Sequence, residues 1–543
     1  MKVIVCSAWP YGYSVPHLGN IMSSLLSGDV FSRFYKKKGF DTLYVSGTDM
    51  HGTRAEFEAE KRGINVEELL KNNHELLKSL IEKFNINFDN YTNTESKTHK
   101  KFVTEIYEQI EKNGFISTKT EKRAFCENCQ KFLADAFIEG ACPKCGFEYA
   151  KGNQCDKCGA LLEAEDLLEP TCRICEENKI IFKKTKHWFL DLDKLEPKLK
   201  EYVERHPEWT GNVKNFTKNF LAGGLKPRAI TNDLKWGIPA PFEGTENKVI
   251  YVWAEAALGY VSATQEIRKD WQEFWFGSDV KQVYTIGKDN IPFHTIFFPA
   301  QLLGSSQNFH LPDQISATEY LNWEGGKKFS KSKNTGIFMD EALQILPIEH
   351  WRFYLLYDRP ESKDTEFSWN EIEKTSNQIL IGDFGNFINR TLTFLDKYFD
   401  KTVPKSNLSD RDREVMDEIH TTEDLYNEAM ERGSIKDAVK AFVSLSKIGN
   451  IYFQEREPWK NELDRDRTLF VCVQLAKALA IFAYPIIPSV ATKLWKILNL
   501  DSELSWKELE FEVKPGHTIN KPEILVEKID IKEVKEKYEA LKK

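Results

Sequence analysis

The chain has 543 residues, 41% hydrophobic and 29% charged, the balance of a folded globular protein rather than a disordered one. Its net charge of −8 excludes overall charge as a means of holding nucleic acid or anionic lipid, so such binding needs a local basic patch. The longest apolar run, Ala478 to Ala491, contains Pro485 and Pro488 and falls short of the ~20 residues that span a membrane.

Residues 3–8 are apolar and β-branched and read as a first strand, not a signal peptide. After the irregular stretch Pro10–Pro16, helical spacing begins at His17 and is carried by Leu18, Ile21, Leu25, Val30 and Phe34 until Gly39. A second strand, Thr42 to Ser46, runs into Gly47-Thr48-Asp49. Strand, helix, strand in that order predicts a parallel sheet. Two later segments, Val249–Trp253 and Gln282–Ile286, are predicted to be strands of its second half, the latter ending in Gly287-Lys288-Asp289. The expected fold is therefore α/β, a doubly wound parallel sheet, interrupted by an inserted domain over roughly 116–214. Beyond Asp340 helical periodicity dominates to about residue 500, as in an all-helical domain. The expected division is 1–115 and 215–320 for the two halves of the sheet domain, 116–214 for the insertion, 321–370 for a connecting region, 371–510 for the helical domain and 511–543 for a tail ending in a Lys/Glu-rich helix.

The insertion holds eight of the ten cysteines as four Cys-x-x-Cys pairs: Cys126/Cys129, Cys142/Cys145, Cys155/Cys158 and Cys172/Cys175. Cys6 and Cys472 lie in apolar surroundings and pack as small hydrophobes. Without an export signal the compartment is expected to be reducing, the cytoplasm, and the paired thiols to be metal ligands. Eight thiolates make two closed, structural tetrahedral zinc sites. The spacing fits either a nested or a sequential partition of the pairs.

Two segments carry chemistry. Pro16-His17-Leu18-Gly19-Asn20 follows a strand and opens a helix, where free N–H groups and the helix dipole suit phosphate. Gly19 leaves room for a ligand to approach the backbone; an incidental histidine in a capping loop is the plainer alternative. Gly325-Gly326-Lys327-Lys328-Phe329-Ser330-Lys331-Ser332-Lys333-Asn334 sets a glycine hinge before four lysines and two hydroxyls, fit to close over a triphosphate. A solvated basic loop is the alternative there.

Taken together, Pro16–Asn20 and Lys328–Ser332, about 310 residues apart, resemble the paired HIGH and KMSKS signatures of the class I aminoacyl-tRNA synthetases. Further segments resemble the methionyl branch of that family: Ala8-Trp9-Pro10-Tyr11, Gly47–Thr53, Tyr251–Tyr260, Gly287–His294, Asn386–Arg390 and Glu457-Pro458-Trp459. Asn20 and Phe329 are similar to its archaeal and eukaryotic members. The resemblance implies ligation of L-methionine to the 3′ end of tRNA(Met), through methionyl-adenylate made from ATP with magnesium as counterion. It implies that His17, Asn20, Lys328 and Lys331 stabilise the transferring phosphates, with Gly19 and Asp289 also at ATP. It implies a methionine pocket of Trp9, Tyr11, Asp49, Trp253, Ala256, Tyr260, Phe293 and His294, in which Asp49 holds the ammonium and Tyr260 and His294 approach the sulfur, each able to offer it a donor. Asn389 and Trp459 are implied to read the anticodon, and the cysteine pairs to nest, inner with inner and outer with outer. Trp9 stands where the family usually has Leu, and Ala257 where many members have Pro. The insertion has no space for the large editing domain of related enzymes. The rival reading, a non-catalytic tRNA-binding relative or a zinc-ribbon nucleic-acid binder, is disfavoured by the presence of His17, Asp49 and Lys331 together. A monomer is expected, because an appended dimerising domain would need residues beyond the tail.

Overall fold

A computed structural model describes the chain except residues 134–136, 153, 154, 156, 159–161, 163, 176, 332 and 333. Strand β1 (Lys2–Ser7) leads to a helix, α1, made of Leu18–Asn20, a wider π turn Ile21–Leu26, and Ser27–Lys37. Next come β2 (Asp41–Thr48), β3 (Asn90–Asn93) and α2 (Lys97–Lys112). A long ribbon, β4 (Ile116–Cys126) with β5 (Ile180–Leu190), carries the chain out to the cysteine pairs and back. Helix α3 (Leu192–Glu204) and the one-turn α4 (Val252–Glu255) precede β6 (Val280–Gly287) and β7 (Gln314–Thr318).

The five strands form one parallel sheet in the order β7-β6-β1-β2-β3. Central strands buried on both faces demand unbroken apolar runs, and Val3 to Cys6 supply one. The order reverses between β1 and β6, and in open α/β sheets the crevice at the carboxyl ends beside such a reversal is where ligands bind.

The expected strand Val249–Trp253 shrinks to Val249–Ile250, antiparallel to Thr231–Asn232 and outside the main sheet; from Val252 the chain is helical. The β-branched and aromatic residues that suggested a strand there bury themselves in loop and helix instead. The two edge strands, β3 and β7, carry weak local signals: Asn90-Tyr91-Thr92-Asn93 has no apolar alternation, and Gln314-Ile315-Ser316-Ala317-Thr318 alternates over only five residues with Ile315 and Ala317 as its apolar members. Their strand conformation comes from pairing with β2 and β6, not from local pattern. Helix α3, inside the stretch expected to be inserted, packs Leu195 and Leu199 into the core of the sheet domain.

The remainder is helical: α5 (Ile348–Tyr357), α6 (Asn386–Phe399), α7 (Asp410–Glu431), α8 (Ile435–Arg456) and α9 (Arg465–Ala483), with α10 (Ile531–Lys542) at the end. One continuous apolar cluster joins these helices to α1, whose Leu18, Ile21, Leu25, Val30 and Phe34 are all buried. At the junction Asp29 of α1 accepts from Arg33 and from Arg352 of α5, each at 2.7 Å. Such a buried pair is costly to break from one side, because the remaining charge is left unmatched. Helix α10 returns to the 321–370 region, where Tyr538 packs against Trp323 and Trp369, and Lys542 pairs with Glu341 at 2.6 Å.

Candidate active site and metal centres

A cavity of roughly 320 Å³ opens at the reversal point of the sheet. Trp9, Tyr11, His17, Gly19, Asn20, Asp49, Trp253, Ala256, Tyr260, Asp289, Phe293 and His294, all singled out from sequence, line it. They arrive from the ends of β1, β2 and β6, from the start of α1, and from α4 and the helix after it.

His17 is the N-cap of α1, not a residue on its face. Its Nδ1 accepts from the backbone N–H of Gly19 at 3.1 Å and of Asn20 at 3.4 Å, while Asn20 Oδ1 accepts from His17 N at 3.4 Å. Burial lowers the imidazole to about 4, so the ring is neutral at physiological pH. With Nδ1 committed as acceptor, Nε2 carries the proton and is the ring's one donor. A Cβ at Gly19, which lines the cavity, would sit 3.0 Å from His17 Cε1 and so crowd the imidazole.

The second motif meets the first through Phe329, whose ring stacks on His17 with centroids 4.6 Å apart. Behind it, Leu18 N donates to Ile337 O and Met339 N to Pro16 O, which ties the two motifs at the backbone. Gly325 and Gly326 both take positive φ, and their amides donate to Glu366. Lys328 and Lys331 do not line the cavity; their ammonium groups lie 5.6 Å from the rings of Tyr320 and Phe338. Ser332 and Lys333 lie outside the described residues.

Across the cavity, Asp49 is buried at the end of β2, and burial together with the nearby Glu255 carboxylate pushes its carboxyl up to about 8. Trp253 and Phe293 form an edge-on aromatic wall at 5.2 Å. Tyr260 and His294 meet at 2.9 Å, and His294 Nδ1 lies 2.9 Å from Asn290 O. A carbonyl only accepts, so Nδ1 holds the proton of this neutral ring and Nε2 accepts from the Tyr260 hydroxyl. Both donors are therefore already committed, and neither is free for a sulfur, contrary to the expectation from sequence. Trp9 is wedged between two glycines: a Cβ at Gly47 or Gly259 would lie 2.7 or 2.5 Å from its ring. Its Nε1 is buried with no partner among the described residues.

Four residues beneath this wall are not among those expected from sequence: His51, Glu95, His99 and Glu255. Their signal was present, since His51 and Glu255 fall inside the quoted segments, but ionisable residues among aromatic ones gave no spacing that marks a cluster.

In the insertion the thiols gather as two groups, Cys126, Cys129, Cys172, Cys175 and Cys142, Cys145, Cys155, Cys158, each with its sulfur atoms within 4.8 Å of one another. This is the nested partition. Sulfur separations of 3.6–3.9 Å fit the ~3.8 Å edge of a tetrahedron around zinc with bonds of about 2.3 Å. In the helical domain Asn389 is exposed on α6, and Trp459 lies half-buried after α8 with the Arg390 guanidinium 5.6 Å from its ring.

Residues 3–392 match the family described as "tRNA synthetases class I (M)", and residues 403–542 the "Anticodon binding domain of methionyl tRNA ligase". The methionine–tRNA ligase of Caldivirga maquilingensis is 42% identical over 98% of this chain and 93% of its own length. That of Saccharolobus solfataricus is 42% identical over 100% and 98%. Among solved structures, Mycobacterium tuberculosis methionyl-tRNA synthetase in complex with methionyl-adenylate superposes with a TM-score of 0.82 over 97% of this chain and 99% of that one; at 22% identity the likeness speaks for the fold.

Proposed function

The chain belongs to the methionyl group of the class I tRNA synthetases, and from that premise we propose how its cavity performs the reaction. It is a methionine–tRNA ligase, which activates methionine with ATP and transfers it to tRNA. The observation that carries the assignment of roles is the arrangement of one free donor, His17 Nε2–H, and one buried carboxyl, Asp49, around the same cavity.

Asp49 holds the methionine ammonium, with Trp253, Ala256 and Phe293 closing on the side chain and Trp9 and Tyr11 completing the wall. The carboxylate of methionine then attacks the α-phosphorus of ATP, forming the acyl–phosphate bond and expelling pyrophosphate. His17 donates through Nε2, with Asn20 beside it and Gly19 and Asp289 at the nucleotide. Lys328 and Lys331 reach the leaving phosphates when the loop turns at Gly325-Gly326, which lifts Phe329 off His17. Magnesium accompanies ATP and offsets its charge. In the second step the terminal ribose 2′-hydroxyl of tRNA(Met) attacks the methionyl carbonyl, and AMP leaves. No protein nucleophile takes part; positioning and charge do the catalysis. The two cysteine groups hold one structural zinc each, and Asn389 and Trp459 read the anticodon, an amide for base edges and an indole for stacking. We assign the segments 1–115 with 215–320, 116–214, 321–370, 371–510 and 511–543 to catalysis, insertion, loop region, anticodon binding and tail. The test is aminoacylation of total tRNA with each of the twenty amino acids: methionine alone should be joined, and another preferred amino acid would refute the reading.

A further inference from the structure

Directly behind the methionine cavity lies a buried ion cluster that the mechanism above does not use. His51, almost wholly enclosed, stands between two carboxylates: Nδ1 is 2.6 Å from Glu255 Oε1 and Nε2 is 2.6 Å from Glu95 Oε1. Against burial, His51 holds the carboxyls of Glu255 and Glu95 below the usual carboxylate range, so both accept and both ring nitrogens donate, which makes the ring an imidazolium. Burial opposes that charge, but Glu255 and Glu95 hold its pKa up to about 10. Glu95 also takes Lys100 at 2.8 Å, and the other oxygen of Glu255 is 3.6 Å from His99. The Trp236 ring covers His51 edge-on at 5.8 Å, and its indole N–H donates to Met50 O.

These contacts join two elements that build the methionine cavity, the end of β2 and α4, to the segment that follows β3. His51 is two residues from Asp49, and its backbone N–H reaches the Asp49 carboxyl at 3.3 Å. Glu255 ends α4, the helix that carries Trp253 and leads into Ala256. Glu95 follows β3. Yet His51 lines only the neighbouring cavity, not the one that holds Asp49. With Glu95 and Glu255 matched by His51 and Lys100, Asp49, whose carboxyl is pushed up to about 8, is the carboxyl left to ionise against an incoming ammonium.

We propose that His51 is a positioning residue for methionine, stapling the Asp49 end of β2 to the Trp253 helix and matching the Glu255 carboxylate so that Asp49 is left to the substrate ammonium. The proposal rests on the assignment of this cavity to methionine. His51 acts in binding, before any bond is made. Its loss should raise KM for methionine while kcat and KM for ATP change little.

The experiment is methionine-dependent exchange of pyrophosphate into ATP by His51→Gln, Glu95→Gln and the double variant His51→Gln/Glu255→Gln, at pH 8. Removing one charge-assisted partner from a buried pair leaves the other unmatched. His51→Gln should therefore raise the methionine KM by about tenfold or more, with kcat within about threefold. The double variant replaces an unmatched carboxylate with a neutral amide pair, and should recover most of the methionine affinity. Glu95 is partly exposed, so Glu95→Gln keeps the Glu255 contact and should raise the methionine KM by a few-fold; it carries the test if His51→Gln does not fold. An unchanged methionine KM in the folded variants would overturn the proposal. So would equal losses in kcat and both KM values without recovery in the double variant, as expected of a merely structural contact. Absence of methionine-dependent exchange in the unaltered protein would instead refute the methionine reading itself.

Discussion

At the scale of single residues, Asp49 governs how the site responds to pH. Burial first, and Glu255 second, push its carboxyl up to about 8, so on the proposed assignment lowering the pH below that value removes the charge that holds an ammonium. The methionine KM should therefore rise as pH falls from 8, approaching about tenfold per unit, while the ATP KM stays level. A flat methionine KM between pH 6.5 and 8.5 would show that Asp49 is ionised throughout or stands elsewhere. On the proposed assignment, the same scale explains how methionine is told from other side chains. Tyr260 and His294 have spent their protons on each other and on Asn290. Selection falls to shape and to the polarisable contact of sulfur with aromatic faces, where one methylene is worth only about 1–3 kcal/mol. Trp9 adds to that shape from behind, fixed by Gly47 and Gly259.

At the scale of elements, the two signature segments do their work as a pair. Phe329 covers His17 and the loop lysines rest near Tyr320 and Phe338, so on the proposed assignment the loop leaves those rings before its charge reaches phosphate. A charge that engages mainly in the transition state lowers kcat and kcat/KM together. Lys331→Ala should cost roughly 10²–10³ in exchange rate, by analogy with other preorganised donors; a variant as fast as its parent would remove Lys331 from the chemistry. The insertion makes a second prediction. Metal analysis should find two zinc ions per chain, and Cys142→Ser should lose one and weaken tRNA charging more than adenylate formation; one equivalent or fewer in the unaltered protein would contradict it. Elements also mark where sequence reading stopped. The β1–α1–β2 unit was legible because Val3–Cys6 and the Leu18-to-Phe34 spacing are buried patterns with a period. The edge strands Asn90–Asn93 and Gln314–Thr318 were not, because their conformation is imposed by neighbours. The cysteine spacing announced metal ligands but left the partition open until the ribbon β4–β5 brought the outer pairs together. The His51 cluster escaped because its members come from three segments far apart in the chain, around residues 51, 95–99 and 255.

At the scale of the whole molecule, the continuous core from α1 into the helical domain makes the catalytic cavity and the helical domain parts of one packed body. The buried Asp29–Arg352 pair sits at that seam. Trp459→Ala should leave methionine activation nearly intact and reduce charging by tenfold or more, since base–aromatic stacking is worth about 1–3 kcal/mol. Equal damage to both steps would make Trp459 a packing residue beside Phe453 instead. The central claim, that the cavity at the sheet reversal activates methionine with ATP, is tested most directly by exchange of labelled pyrophosphate into ATP, measured with each amino acid in turn and no tRNA present. The account predicts exchange with methionine, lost in Asp49→Asn and in His17→Ala, and little with any other amino acid. Exchange that is independent of methionine, or that survives both substitutions, would contradict it.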